Sequence, residues 1–370
     1  MAGTKLVFFA ARRYWGDPAE LAEAYEKLGA SLAGLSPTAL LVTNEQELAQ
    51  LGKQEDCLVV VPMSGAVQRL VLAAAQNAKT VVVYPMYING NASAENCRKM
   101  LRNNAAPTTM DCWAVLKRSH PHVTLALSLE DAAKKLKVMQ AFLAMQSTKL
   151  LLVGSTEPWV ISNSGDFGHY ARLGVEVVQV PQSELARRYH STSDAAAEKY
   201  YHYFLGDEHA IVEPSGKDIL DSARMAAALA GMVESYDADA VALACFNLLS
   251  EGTNCCLGVS YLNDCTPYVV SCEGDIDSAV TMLAMKQLAN TKLWMANPGL
   301  HPGGIVNFSH CTAPLNLLGG GKCRYSLRSH HESGIGIKDN RIYDIDIFEG
   351  LETPYTLRQD LVDLSKILSI

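Results

Sequence analysis

No run of roughly 18 uninterrupted apolar residues occurs, the length a helix needs to cross a bilayer, so no membrane partner is expected. Lysine and arginine number 31 against 39 aspartate and glutamate, for a net charge of −8. They form no basic stripe with interleaved aromatics, so no nucleic-acid partner is expected. Charged residues make up only 19% of the chain. That is low for a helical surface protein and ordinary for an α/β enzyme with buried strands. The ten cysteines include no Cys-x-x-Cys pair, and Cys255-Cys256 has no partners at zinc spacing. No Gly-x-Gly-x-x-Gly follows the first strand, so a nicotinamide dinucleotide site is unsupported. Leu318-Gly-Gly-Gly-Lys-Cys323 lacks the phosphate-loop spacing, and no Gly-x-Ser-x-Gly elbow is present. There is no fixed-period repeat.

An export signal is not expected either. The apolar run in Met1-Ala-Gly-Thr-Lys-Leu-Val-Phe-Phe-Ala10 is short, and Arg12 and Arg13 follow it rather than precede it. It reads as a first β-strand. The cysteines are scattered, several inside apolar runs (Cys57, Cys245, Cys272), which points to reduced thiols in a cytoplasmic protein.

The chain does have material for a large core. Hydrophobic residues are 49% of its 370, a length that fits about two or three domains. Short apolar runs alternate with helical segments. Strands are expected at 5–10, 39–43, 57–61 and 80–84, with helices at 18–33, 65–77, 92–103 and 130–145. The rhythm restarts at Lys149-Leu-Leu-Leu-Val-Gly154. Helices follow at 164–173, 193–205, 215–235, 252–262 and 277–289, and strands at 175–180, 240–246 and 268–272. Beyond 290, Pro298, Gly299, Pro302, Gly303, Gly304, Pro314 and Gly319–Gly321 break the helical pattern, and short alternating segments such as Arg341–Ile347 appear. The expected fold class is α/β, with two doubly wound parallel-sheet domains followed by a small β-rich C-terminal region. The expected bounds are 1–147, 148–290 and 291–370.

Three residues stand where expected strands run out into loops: Glu251, Asp275 and His310. In open α/β sheets, ligands bind beyond the carboxyl ends of the strands. Two carboxylates and an imidazole there suit a divalent cation, and carboxylates favour Mn²⁺ or Mg²⁺ over softer metals. Taken singly, each acid has a plainer role at a helix N-terminus, and Glu273 competes with Asp275 for a ligand role. Ser329-His-His-Glu332 adds His330 and His331 beside Arg328, as metal or substrate contacts or as a polar surface turn. Arg12 or Arg13, after the first strand, could reach a ligand or serve as a surface cation.

Several segments together resemble the L-fucose isomerase and L-arabinose isomerase superfamily, in particular its small fucose-isomerase-like members. They are Ala10-Ala-Arg-Arg13, Glu251 after its strand, Cys272-Glu-Gly-Asp-Ile-Asp-Ser-Ala279, Ser309-His-Cys-Thr-Ala-Pro314 and Tyr325-Ser-Leu-Arg-Ser-His330. The order and approximate spacing agree across almost the whole chain. Two departures stand out. The C-terminal region is much shorter than in the large fucose isomerases, and Ala10-Ala11 replaces the usual Pro-Thr.

The resemblance implies a Mn²⁺ site at Glu251, Asp275 and His310, with Mg²⁺ or Co²⁺ as substitutes. It implies aldose–ketose isomerisation through a cis-enediol. It also implies a homo-oligomer in which a neighbour helps close the site, with Arg12 or Arg13 contacting substrate across the subunit boundary; Arg328 and His330 are candidate substrate contacts from their own position in the sequence. On this reading Glu251 is the base, Asp275 its acid–base partner, and the substrate a small-molecule sugar. Lys322, Arg324 and Arg328 raise an alternative, a sulfonated, phosphorylated or carboxylated sugar. A non-catalytic cytoplasmic sugar-binding protein and a metal-dependent lyase or epimerase are the competing classes.

Overall fold

Alternate residues of the first strand serve two different cores. In β1 (Thr4–Phe9), Leu6 and Phe8 join one buried cluster while Val7 and Phe9 join another. A strand buried on both faces needs cover on each side. Its helical neighbours supply it in chain order, in a computed structural model that describes residues 3–52, 55–87, 93–162, 166–206, 210–301, 305–317, 321–322 and 325–329.

After β1 come α1 (Pro18–Leu32), β2 (Ala39–Val42), α2 (Glu45–Leu48), β3 (Glu55–Pro62) and α3 (Gln68–Gln76). Then follow β4 (Ala78–Val83), α4 (Ala94–Asn103), α5 (Ala105–Ser119), β5 (Val123–Leu125) and α6 (Leu129–Met145). The five strands form one parallel sheet in the order β2-β1-β3-β4-β5. Leu21 and Leu32 of α1 and Leu136 of α6 pack with Leu6 and Phe8. Val71 of α3 and Leu116 of α5 pack with Val7 and Phe9. Asp17 caps α1, its Oδ1 accepting from the Ala19 N–H at 2.9 Å, with Pro18 in the first turn.

Contacts divide the chain into one unit running to Ala144 and another beginning at Met145. The second unit opens with β6 (Thr148–Val153), α7 (Gly168–Ala171), β7 (Val175–Val180), α8 (Gln182–Ser191), α9 (Asp194–Phe204) and β8 (Ala210–Ile211). It continues through α10 (Gly216–Tyr236), β9 (Ala240–Leu243), α11 (Cys256–Cys265), β10 (Val269–Ser271) and α12 (Ile276–Ala289). Its main sheet is parallel, in the order β10-β9-β6-β7. The chain leaves β6 for β7 on one side and returns as β9 on the other. Their carboxyl ends therefore flank a point where the strand order reverses, the usual place for a ligand crevice in such sheets.

The last described elements are an antiparallel hairpin, β11 (Asn297–His301) with β12 (Ile305–Ser309), and β13 (Ser326–Leu327). β13 pairs in parallel with β8. Ala313, Leu315, Tyr325 and Leu327 share a core cluster with Phe204, Ile219 and Leu257 of the second unit. Arg324, His330, His331 and all later residues lie outside the described residues.

Several elements depart from the sequence expectation. α5 and β5 were not expected. Pro107 sits in the first turn of α5, where its missing N–H has no helical role. α8 was not expected either. The strand expected over 240–246 stops at Leu243, and a 3-10 turn, Phe246–Glu251, follows it. No helix among the described residues is long and apolar enough to cross a membrane.

Candidate functional site

The sequence-predicted residues fall in separate environments. Glu251 is not at a strand end: it closes the 3-10 turn after β9. Its Oε2 lies 2.8 Å from His190 Nε2 of α8, and its side chain is 37% exposed. Asp275 is the N-cap of α12. Its Oδ1 accepts from the Ser278 N–H at 2.9 Å and its Oδ2 from the Ser278 hydroxyl at 2.7 Å. His310 follows β12, a hairpin strand rather than a strand of the parallel sheet, and its side chain is 6% exposed.

Glu251, Asp275 and His310 therefore do not gather into a donor set. Glu251 faces His190, and both oxygens of Asp275 are occupied by the helix cap. Among the described residues, no group of three or more His, Cys, Asp or Glu side chains is placed to hold a metal ion.

His310 faces a different acid, Glu273. Glu273 Oε1 lies 3.7 Å from His310 Nε2, with the Glu273 side chain 17% exposed. Two features of the backbone aim Glu273. It follows β10 with φ +62, a left-handed conformation that is uncommon for a non-glycine residue. Gly274 continues the turn at φ +61, and a Cβ there would fall 2.6 Å from Ser155 O and 2.8 Å from Thr156 Cα. The turn is therefore pressed against the loop that leaves β6. The Glu157 N–H donates to Glu273 O at 2.9 Å, and the Thr156 hydroxyl to Gly274 O at 3.1 Å.

The same loop brings Trp159, whose Nε1–H donates to Glu273 Oε2 at 2.6 Å. The Trp159 ring stands edge-to-face against Phe246, centroids 5.1 Å apart, and is 54% exposed. Glu157 is 7% exposed, and its Oε1 has no hydrogen-bond partner among the described residues. Loops after β6, β9 and β10 thus meet at the order reversal of the sheet, with the loop after β12 beside them.

Electrostatics separate the two members of the pair. His310 holds Glu273 below the usual carboxylate range, against burial and with help from Trp159. Burial by itself disfavours charge on His310. The Cys311 sulfur, itself shifted toward thiolate, and the Glu273 carboxylate outweigh it and raise the imidazole to about 10. Glu273 is then ionised and His310 protonated at neutral pH. Glu157 moves the other way: burial raises its carboxyl, and the charges of Cys245 and Glu273 add to that. Around them lie the buried thiols Cys245, Cys255 and Cys272. Hydrogen bonding with Cys245, and after it burial, pushes Cys255 and Cys272 up.

The expected substrate cations have partners of their own. Arg12 Nε–H donates to Thr43 Oγ1 at 3.4 Å, and its Nη2 lies 3.6 Å from Glu47 Oε1. Arg13 stands over the Tyr14 ring at 5.5 Å. Arg328 pairs with Glu213 at 3.1 Å. Lys322 donates to Tyr203 O at 2.5 Å and sits over that ring. His330 lies outside the described residues.

Glu157, Trp159 and His190 were not anticipated. The first two had a usable signal, since Gly154-Ser-Thr-Glu-Pro-Trp159 is also a polar, glycine-started loop just past a strand. His190 had none, because its helix was not expected. No family model matches this chain, and a search of curated proteins likewise finds no match.

Proposed function

We propose that the protein is an aldose–ketose sugar isomerase that works through a cis-enediol, with Glu273 as base and His310 as its acidic partner. The observation that carries this reading is the pair itself: a largely buried carboxylate 3.7 Å from a largely buried imidazole. Moving a proton between C1 and C2 of an open-chain sugar needs a base at carbon and a cation at the neighbouring oxygen. Glu273 takes the proton from C2 of the aldose. His310 donates toward the carbonyl oxygen as negative charge develops there. The proton on Glu273 then returns to C1 as the C2 hydroxyl gives its proton back to His310, which yields the ketose. Trp159 fixes one oxygen of Glu273 and offers an exposed ring face to the C–H side of a sugar.

The reading takes both units as doubly wound domains and keeps the resemblance to small fucose-isomerase-like proteins as its source for the substrate class. That resemblance also implies Mn²⁺. The three residues it assigns to the metal do not fit a common site as arranged, so no step is routed through the ion. A homo-oligomer and a cytoplasmic setting belong to the same proposal. The anionic-sugar variant gains no support from Lys322 and Arg328, both of which have protein partners.

A panel of neutral and acidic sugars, incubated in D₂O with and without added Mn²⁺ and followed by NMR, tests it. An isomerase interconverts aldose and ketose and places solvent deuterium at C1 or C2. Saturable sugar binding with no exchange on any sugar would replace it with the non-catalytic binding protein. Exchange with carbon–carbon cleavage or epimer formation would replace it with a lyase or epimerase.

A further inference from the structure

Cys256 and Cys311 hold their sulfurs 3.5 Å apart, although neither is near the other in sequence. Cys256 opens α11, and Cys311 lies in the loop after β12. Both backbones are tied in place. The Cys256 N–H donates to Asn254 Oδ1 at 3.1 Å, and the Ser260 hydroxyl, one turn along α11, donates to Ala313 O at 2.8 Å. The second bond clamps the Cys311 loop against the helix. A disulfide requires the sulfurs to close to about 2 Å, a distance side-chain rotation can cover from here when the backbone geometry suits.

The two thiols also differ in access. Cys311 is partly exposed and Cys256 is buried. That is the layout of a cysteine that meets an oxidant and a second one behind it that resolves the product. The trio Cys245, Cys255 and Cys272 has no such asymmetry, since all three are buried.

We propose that Cys256 and Cys311 form a redox-active dithiol that small peroxides convert to a disulfide. The Cys311 sulfur attacks one peroxide oxygen. The O–O bond breaks, and the departing hydroxide takes up the thiol proton to leave as water, with Cys311 now a sulfenic acid. The Cys256 sulfur gives up its proton and attacks the Cys311 sulfur. The S–S bond forms, the S–O bond breaks, and a second water leaves. Two thiols are oxidised by two electrons in all, and one peroxide is reduced to two waters. This pairing does not depend on the isomerase reading.

The full-length protein, reduced and then treated with a small excess of hydrogen peroxide, tests it. Remaining thiols are blocked with iodoacetamide under denaturing conditions, and peptides are mapped without reduction. The expected product is a Cys256–Cys311 cross-linked peptide that dithiothreitol reverses. Cys256→Ser should leave Cys311 as a sulfenic acid trapped by dimedone. Cys311→Ser should abolish the cross-link and leave Cys256 alkylated. If either variant fails to fold, the wild-type map alone decides. Wild-type protein in which Cys256 is alkylated, or is linked to any cysteine other than Cys311, overturns the proposal.

Discussion

Glu273 Oε1 stands 3.7 Å from His310 Nε2, and this pair rather than Glu251 with Asp275 is the charged centre near the order reversal of the second sheet. Both side chains are largely withdrawn from solvent, so each controls the protonation of the other. The pair also ties the turn after β10 to the loop after the hairpin strand β12, two regions that share no backbone pairing in the register of the described strands.

Glu273→Gln removes the base but keeps the shape and a polar contact for Trp159. If the isomerase reading holds, turnover should fall by about 10²–10⁴-fold, the usual range for a lost general base, with little change in the circular dichroism spectrum. The imidazole of His310 should also titrate lower, because a carboxylate that favours its charge has gone. NMR titration of the His310 ring reads this independently of any substrate. An unmoved His310 resonance would show that the two groups do not interact.

The pH dependence of stability follows from the same pair. The folded imidazole is raised to about 10 from an ordinary 6.5. Its stabilisation is therefore fully present below about pH 6.5 and is lost as pH rises toward 10. Lys286 acts in the opposite sense at the top of this window, since burial lowers its amine from 10.5 to about 8. The informative quantity is thus the difference between wild type and His310→Gln in urea unfolding across this range. That difference should shrink steadily as pH rises. A constant difference would mean that His310 gains nothing from its charged neighbours.

Gly274→Ala is expected to be costly. The residue sits at φ +61, where an L side chain costs about 1–2 kcal/mol. The added Cβ would also fall 2.6 Å from a backbone oxygen, which cannot rotate away as a side chain could. A loss of about 2 kcal/mol or more in unfolding free energy is expected, together with weakened contact between the turn and the loop after β6. Gly252, also at positive φ but with open space around its Cβ position, is the control for backbone strain alone. Equal losses at Gly252→Ala and Gly274→Ala would show that the close approach contributes nothing.

Glu157→Gln should stabilise the protein near neutral pH. The carboxyl is buried, one of its oxygens lacks a hydrogen bond among the described residues, and its pKa is raised. A raised acid favours the folded state only as pH falls, so at neutral pH the charged form is a burden. Replacing it with a neutral isostere removes that buried charge and should gain on the order of 1 kcal/mol, the scale of a shift of one pKa unit. The gain should disappear in mildly acidic buffer. A loss of stability at pH 7 would indicate that the carboxylate has a partner it depends on.

Much of the fold could be read along the chain. Runs such as Leu6–Phe9 and Leu150–Val153 are too short and too evenly apolar to be anything but buried strands once turn residues bound them. Pro18 after Asp17 marks a helix start by simple capping chemistry. These are local effects, so sequence carries them. The strand that ends at Leu243 instead of Phe246, and the unexpected α5 and α8, depend on what packs where, and local propensity does not fix that.

By itself the sequence determined an alternation of buried strands and helices, and a set of polar residues waiting near strand ends. It did not determine which of those polar residues meet. Asp275 and Glu273 are two apart in one turn, yet the cap of α12 takes the first and the left-handed backbone at the second sends it to His310. Glu251 was drawn to His190 by a helix whose position only the tertiary packing sets. Side-chain direction at a strand end depends on one or two backbone angles and on the loop pressed against it. Only the assembled sheet decides those.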